Sequence, residues 1–208
     1  MTRIVQNKTR PSRALCGKPL WGASNDPAND RNYPPGQHGV ESRGHRKSSA
    51  FGEQLRAKQM LRKYYNITEK QFKNTFVKAS KMKGNTGQNF IQLLECRLDA
   101  IVYRATFGRS VFACRQLVSH GHITVNGKRV KIPSYSAKPG DIIAVAEKSK
   151  DKLVILDSVS NAEREVPEYV QLDAKKLEAT YLRLPEDENE VPYAVQMNVH
   201  LIVEFYSR

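Results

Sequence analysis

The chain has 208 residues, enough for one or two domains, and carries 34 basic against 21 acidic side chains, a formal net charge of +13. Leu, Ile, Val and Phe number only 49, which allows a real but lean core. The longest run of aliphatic residues and Ala, Ile142–Ala146, falls far short of the ~20 residues that span a bilayer, and the first 20 residues hold no apolar signal stretch; the composition predicts neither an integral membrane protein nor a secreted one.

Residues 1–50 hold just five of the large aliphatic and Phe residues, Ile4, Val5, Leu15, Leu20 and Val40. Such a segment buries too little apolar surface to offset its ordering entropy. It reads equally as a disordered tail or as an extension ordered by a partner. It includes the turn-rich stretch Asn32-Tyr33-Pro34-Pro35-Gly36-Gln37-His38-Gly39, whose Pro-Pro-Gly stiffens the backbone while Gln37 and His38 offer donors. Helical periodicity begins near Ser49, with Phe51, Leu55 and Tyr64 on one face. Thr68 to Gln71 has capping-box spacing, Phe72 and Phe76 follow at i, i+4, and Gly84 stops the helix. Thr86 or Asn85 caps a further helix whose apolar face is Phe90, Leu94, Leu98, Ile101, Val102 and Ala105. Ser110 caps a short helix with Val111, Cys114, Leu117 and Val118 inward, and Gly121 ends it.

Asn126-Gly127 between alternating runs is a strong hairpin signal. A two-residue loop pairs Val125 with Lys128 and Thr124 with Arg129. Alternation then buries Ile123, Val125, Val130 and Ile132 and gathers His122, Thr124, Arg129 and Lys131 on the other face. Ile142–Val145, Leu153–Leu156, Tyr169–Leu172 and Thr180–Leu184 are predicted strands, Glu186 to Glu190 an acidic loop, and Leu201–Tyr206 an apolar tail buried in a sheet or against helices.

The charge is segregated: residues 1–146 hold a net +18 and residues 147–208 a net −5. Solubility does not require such a division, whereas a polyanion is attracted by it. Nucleic acid is favoured over an anionic membrane, which calls for a basic amphipathic helix; most basic residues here lie among Pro, Gly and Asn. Cys16, Cys96 and Cys114 are too few and too widely spaced for a disulfide framework or a zinc site, and Cys96 and Cys114 read as small buried hydrophobes. Reduced thiols fit a cytosolic or organelle-matrix setting. His38, His45, His120, His122 and His200 show no metal spacing, and no phosphate loop, His-Glu-x-x-His or nucleophile elbow occurs. Neither a metal, a cofactor nor a small-molecule substrate is expected.

Arg97-Leu98-Asp99, Tyr103-Arg104-Ala105, Ser110 to His120, Gly121 to Lys128, Pro133-Ser134-Tyr135 and Lys138-Pro139-Gly140-Asp141 together resemble the S-four RNA-binding domain. Tyr33 to Gly39, Phe51 to Gln59, and Val191 to Met197 with Glu204 to Arg208 extend the resemblance to the bacterial-type small-subunit ribosomal protein S-four family, essentially end to end. It implies an α+β fold: an extended basic segment, 1–48; a mostly helical domain, 49–95, completed by the returning tail, 185–208; and an inserted module, 96–184, of short helices on a small, mainly antiparallel sheet. It implies a primary binder of small-subunit (16S-type) rRNA at a multi-helix junction, nucleating assembly of the subunit body. Further implied partners are ribosomal protein S-five, with an influence on translational accuracy, other small-subunit proteins, and mRNA where it enters the subunit. Some members bind zinc through an N-terminal cysteine cluster; Cys16 alone implies a zinc-free member. A bacterial cytoplasmic ribosome is expected, with an organellar one left open.

On this reading the RNA-binding residues of the module are Arg97, Arg104, Arg109, Arg115, Gln116, Ser119, His120, His122, Arg129 and Lys131. Arg97 and Arg104, seven apart, are expected on one helix face, and Arg115, Gln116 and Ser119 on the exposed face of the next helix. Arg suits phosphate because its planar fork makes paired hydrogen bonds. Loss of Arg104, Arg109 and Arg115 is expected to weaken binding without unfolding. The basic extension adds Arg3, Lys8, Arg10, Arg13, Pro35, Gly36, Gln37, His38, Arg43, Arg46 and Lys47, and the first long helix adds Arg56, Lys58, Arg62 and Lys63. Tyr64 and Tyr65 either stack on bases or pack in the core. One enzymatic alternative is an RNA-modifying enzyme of pseudouridine synthase type, a family that uses an Asp in an Arg-Leu-Asp motif like Arg97-Leu98-Asp99; against it, Asp99 lies inside the module's amphipathic helix and too little chain remains after the module for a catalytic domain. A second role as repressor of a messenger that imitates the rRNA site is a property of some family members.

Overall fold

The computed structural model describes residues 9–31, 33–40 and 49–207. Among these it contains seven α-helices and one five-stranded antiparallel sheet, an α+β fold. The chain forms two compact units, residues 1–74 with 193–208, and residues 75–192.

The first unit is built around α1, Ala50–Tyr64, and α7, Val199–Ser207. Ser49 caps α1 by accepting from the Gly52 N–H at 3.2 Å. Of the residues expected inward on α1, Tyr64 is buried, Leu55 is half-buried and Phe51 is 53% exposed; Gln54, Lys58, Met60 and Leu61 are buried as well. Two of those inward positions are polar, which the apolar pattern alone does not mark. The apolar tail is resolved as helix: α7 rests Phe205 against Phe51, centroids 5.7 Å apart. Phe72, in the first half of α2, Glu69–Ser80, meets Tyr206 at 6.3 Å.

Residues 9–40 hold more structure than their composition predicts. A turn of π-helix, Ser12–Cys16, buries Ser12, whose hydroxyl donates to Asp26 Oδ2 at 2.6 Å and accepts from the Leu20 N–H at 3.3 Å. Asp26 Oδ1 accepts from the Ala28 N–H at 2.9 Å. Leu20 is fully buried, and the Trp21 indole N–H donates to Tyr64 O at 3.0 Å, closing an orphan carbonyl at the end of α1. A few buried polar bonds thus do the ordering that apolar area cannot.

The second unit begins with the close of α2 and α3, Thr86–Glu95, capped by Asn85 through the Gly87 N–H at 2.9 Å. One helix was expected over 86–105; the structure has two. Arg97 is extended (φ −68°, ψ 138°), and α4 runs Leu98–Arg104. The break holds because residues 133–137 supply partners. Leu98 and Asp99 donate their N–H groups to Tyr135 O and Pro133 O, and Ala137 donates to Cys96 O. The predicted inward residues Phe90, Leu94, Leu98, Ile101, Val102 and Ala105 are all fully buried. Burial of each large one stabilises by about 1.5–3 kcal/mol. Ser110 caps α5, Val111–Ser119, through the Ala113 N–H at 3.2 Å.

The sheet has the order β2-β1-β3-β5-β4, from β1 Ile123–Val125, β2 Lys128–Arg129, β3 Ile142–Val145, β4 Val170–Asp173 and β5 Glu178–Tyr181. Leu153–Leu156 is not a strand. It opens α6, Leu153–Ser160, where Ile155 and Ser158, three apart, turn inward while Leu153 and Val154 are exposed. Four consecutive apolar residues do not distinguish the two periods. Ile132, expected inside, is 60% exposed because β2 ends at Arg129. No helix among the described residues is long and apolar enough to cross a membrane.

Candidate nucleic-acid interface

The hairpin sets the first group of basic side chains. Asn126 (φ 50°) and Gly127 (φ 76°) both take the left-handed backbone of a type I′ turn, which fixes Thr124 opposite Arg129 and Val125 opposite Lys128. Ile123 and Val125 are buried, while Arg129 and Lys131 are exposed. The stems of Arg129 and Lys131 lie over Gly121: a Cβ there would meet Arg129 Cδ at 3.0 Å and Lys131 Cε at 3.1 Å. His120 and His122 flank that glycine with ring centroids 6.1 Å apart. His122 Nδ1 lies 2.9 Å from Ser149 Oγ, and Lys152 Nζ lies 3.1 Å from His122 Nε2. Burial, then the charges of Lys152, His120 and Arg129, hold the His122 imidazole below its ordinary value. Thr124 Oγ1 donates to Ala144 O at 3.2 Å.

The arginines of the helices divide differently from the sequence expectation. Arg104 is 3% exposed and is not available to RNA. Its Nε and Nη2 grip the fully buried Glu95 carboxylate at 3.0 and 2.8 Å, its Nη1 donates to Pro192 O at 3.2 Å, and Tyr169 Oη donates to Glu95 at 2.9 Å. Its loss is therefore expected to cost folding stability. Arg97 does not share a helix face with it and is itself buried: as the residue before α4, Arg97 points its guanidinium at buried Asp99 through Nε–Oδ1 at 3.0 Å and Nη2–Oδ2 at 2.7 Å. Arg115 Nη1 reaches the same oxygen at 3.3 Å. Asp99 is thus the shared counter-ion of two arginines. Burial lowers the Arg115 pKa, Asp99 opposes that and Arg97 adds to it.

Gln116, His120 and Arg109 are exposed. Arg109 pairs across the surface with Asp157 at 2.5 Å. The Ser119 hydroxyl donates back to Arg115 O at 2.7 Å. Sequence reasoning missed Arg164, which lies 3.9 Å over the Tyr103 ring and donates to Arg109 O and Gly108 O at 2.8 Å each, locking the loop that carries Arg109. It also missed Lys152. Both lie in the part of the chain that is acidic on average, and no local pattern marks them.

In the first unit Arg10, Arg56, Gly36, Gln37 and His38 are exposed and Pro35 is half-buried. Arg13 stacks 4.8 Å over Tyr33 and donates to Tyr33 O at 3.1 Å. Lys58, expected on the surface, is buried: its Nζ pairs with Glu69 Oε1 at 2.8 Å and sits 4.8 Å over Phe205. Arg62 meets Glu69 Oε2 at 3.3 Å and Gln59 at 2.7 Å. Burial, followed by the Arg62 charge, lowers the Lys63 pKa. Tyr64 and Tyr65 are both buried and pack with Tyr193, the two hydroxyls of Tyr65 and Tyr193 lying 2.7 Å apart, so neither offers a ring to bases. Arg3, Lys8, Arg43, Arg46 and Lys47 lie outside the described residues. Cys96 and Cys114 are buried, and burial pushes the Cys114 thiol up to about 12. No cluster of three or more His, Cys, Asp or Glu suited to a metal occurs among the described residues.

Residues 3–95 match the Ribosomal protein S4/S9 N-terminal domain, and residues 96–143 match the S4 domain. A Small ribosomal subunit protein uS4 from Caulobacter vibrioides is 57% identical over 192 residues, 92% of each chain. The proteins of the same name from Maricaulis maris and Xanthobacter autotrophicus are 55% identical over 208 residues and 53% over 209, covering the whole of both chains. The chain belongs to the uS4 family of small ribosomal subunit proteins.

That family is structural, not enzymatic, and nothing in these likenesses supports the RNA-modifying alternative. The S4 domain match ends at residue 143, inside β3. The sheet goes on through β5 and β4, and Lys152 and Arg164 lie beyond the match. The lysine at His122 and the arginine that holds the Gly108–Arg109 loop are therefore supplied by chain beyond the matched residues.

Proposed function

We propose that this protein is a structural constituent of the small ribosomal subunit and binds its rRNA directly, through a multi-helix junction, early in assembly of the subunit body. The supporting observation is the group at the hairpin end of the S4 module, with His120, Arg129 and Lys131 exposed around the half-buried His122, and with the exposed Arg109 and Gln116 on the adjoining loop and helix. Folded RNA is read mainly by shape through phosphates and 2′-hydroxyls, and these are donors of the required kind. Arg115, half-buried, contributes beside them, its guanidinium held by the Asp99 that also holds the buried Arg97. The first unit makes contacts of its own through Arg10, Arg13, Arg56 and the turn Pro35-Gly36-Gln37-His38, together with the basic residues at 3, 8, 43, 46 and 47. The working division is an extension, 1–48, a helical domain, 49–95 with 185–208, and the RNA module, 96–184. The acidic remainder faces protein neighbours, ribosomal protein S-five among them, with an effect on decoding accuracy; mRNA passes nearby, and the ribosome concerned is cytoplasmic.

Protection mapping of small-subunit rRNA with and without the protein tests this. The expected result is a compact footprint on paired elements and an affinity that falls steeply with salt. Binding no tighter than to bulk tRNA at moderate salt overturns it.

A further inference from the structure

The charge split of the sequence marks residues 147–208 as net acidic. The structure brings one lysine of that region back to the basic face. The backbone N–H of Ala146 donates to His122 O at 2.8 Å, which lays the turn Glu147–Ser149 along the start of β1. Lys152, the residue before α6, then reaches His122 Nε2 at 3.1 Å. An ammonium group only donates, so Nε2 accepts and the ring is neutral, with its proton on Nδ1 facing Ser149 Oγ at 2.9 Å.

The groups around this ring are overwhelmingly cationic. From α5 comes His120, and from the β2 edge Arg129 and Lys131, whose stems cross Gly121. From the residue before α6 comes Lys152, and the charges that act on the ring are those of Lys152, His120 and Arg129. The acids on those segments are Glu147, held by Lys150 at 2.8 Å, and the exposed Asp151. A neutral histidine whose acceptor is filled by a lysine, ringed by further cations, is arranged to change state when an anion arrives.

Resting on the rRNA-binding reading above, we propose that His122, Lys152, Arg129 and Lys131 form one RNA-phosphate subsite in which His122 takes up a proton from solvent as the phosphodiester binds. The phosphate replaces the unfavourable cation–cation surroundings with an opposite charge. Lys152 then turns its donor from Nε2 to a phosphate oxygen, and the protonated Nε2–H donates to the same group, while Nδ1–H keeps Ser149. Because the uptake accompanies binding, affinity rises as pH falls. It is expected to level off once the free protein is itself protonated, below the ordinary histidine range.

The test uses the full chain and an in vitro transcript of small-subunit rRNA, titrated at constant ionic strength between pH 5.5 and 8.5. The wild-type Kd is expected to fall about three- to tenfold from pH 8 to pH 6, within the limit of about tenfold per pH unit set by a single proton. His122→Gln is expected to be flat within about twofold, His120→Gln to keep most of the dependence, and Lys152→Ala to make the log Kd–log salt slope shallower by about one. NMR titration of the His122 ring is expected to show its pKa higher with RNA than without. A His122→Gln variant with the wild-type pH dependence, or a Lys152→Ala variant with an unchanged salt slope, overturns the subsite whatever RNA is bound. Equal affinity for transcript and bulk tRNA with the His122 dependence intact instead overturns the rRNA reading and sustains the subsite.

Discussion

Replacing Arg104 by Ala separates a structural arginine from a liganding one. The Glu95 carboxylate is fully buried and accepts two bonds from Arg104 and one from Tyr169. Alanine takes two charge-assisted bonds from that carboxylate, removes the donor to Pro192 O, and opens the volume of the guanidinium. Breaking a buried ion pair from one side costs about 3–5 kcal/mol, a large share of the ~5–15 kcal/mol that holds a domain. With a urea m-value of about 2 kcal/mol/M, the unfolding midpoint falls by roughly 2 M. The double variant Glu95→Gln, Arg104→Met is expected to recover most of the loss, because neither charge remains and the amide still accepts from Tyr169. Arg109→Ala is the control: its side chain is 64% exposed and its partner Asp157 is at the surface, so stability changes by less than about 0.5 kcal/mol. The assay is urea unfolding by circular dichroism beside titration with the rRNA transcript. An Arg104→Ala protein with a wild-type midpoint and weakened RNA binding refutes the reasoning and returns Arg104 to the RNA.

Three further outcomes are expected. Gly108→Ala places a Cβ 2.8 Å from Cys114 Sγ and 3.3 Å from Cys114 N, which is expected to cost about 1–3 kcal/mol; adding Cys114→Ala should return a measurable part of it in thermal unfolding. Glu69 gives an acid limb: burial alone pushes its carboxyl up, but hydrogen bonds from Lys58 and Tyr206 and the charges of Lys58 and Arg62 outweigh it and hold the pKa below the usual glutamate value. Its contribution is present above that usual value and is lost as pH falls through the lowered native one, so the stabilities of wild type and Glu69→Gln by urea unfolding should differ at pH 7, by less than about 1 kcal/mol given the exposed carboxylate, and converge in acid only below the usual glutamate value. Trp21→Phe removes the indole bond to Tyr64 O, at about 1 kcal/mol, and limited proteolysis should then cut residues 9–31 faster while the S4 module stays intact.

Short-range rules were enough for much of the architecture. Ser49, Asn85 and Ser110 cap helices because a short polar side chain before an amphipathic run meets the orphan N–H groups. The Asn126-Gly127 turn fixes the hairpin register because few residues tolerate its backbone. The α3–α4 break was not legible, since the partners of the N–H groups at Leu98 and Asp99 come from residues 133–135, some 35 positions on. Nor was the helical state of Leu153–Ser160, whose run of apolar residues satisfies either period.

By itself, then, the amino-acid order determined the α+β class, the family motifs, the hairpin and the sign of the charge along the chain. Which basic side chains remain free to meet a polyanion was decided only in three dimensions. Arg104 and Lys58 are basic residues near a basic surface, yet Glu95 and Glu69 draw them inward. Lys152 belongs to the acidic third of the chain, yet folds back onto His122. Charge composition adds along the sequence, whereas a charge is neutralised or exposed by whatever lies within a few ångströms, and that neighbour is chosen by the fold.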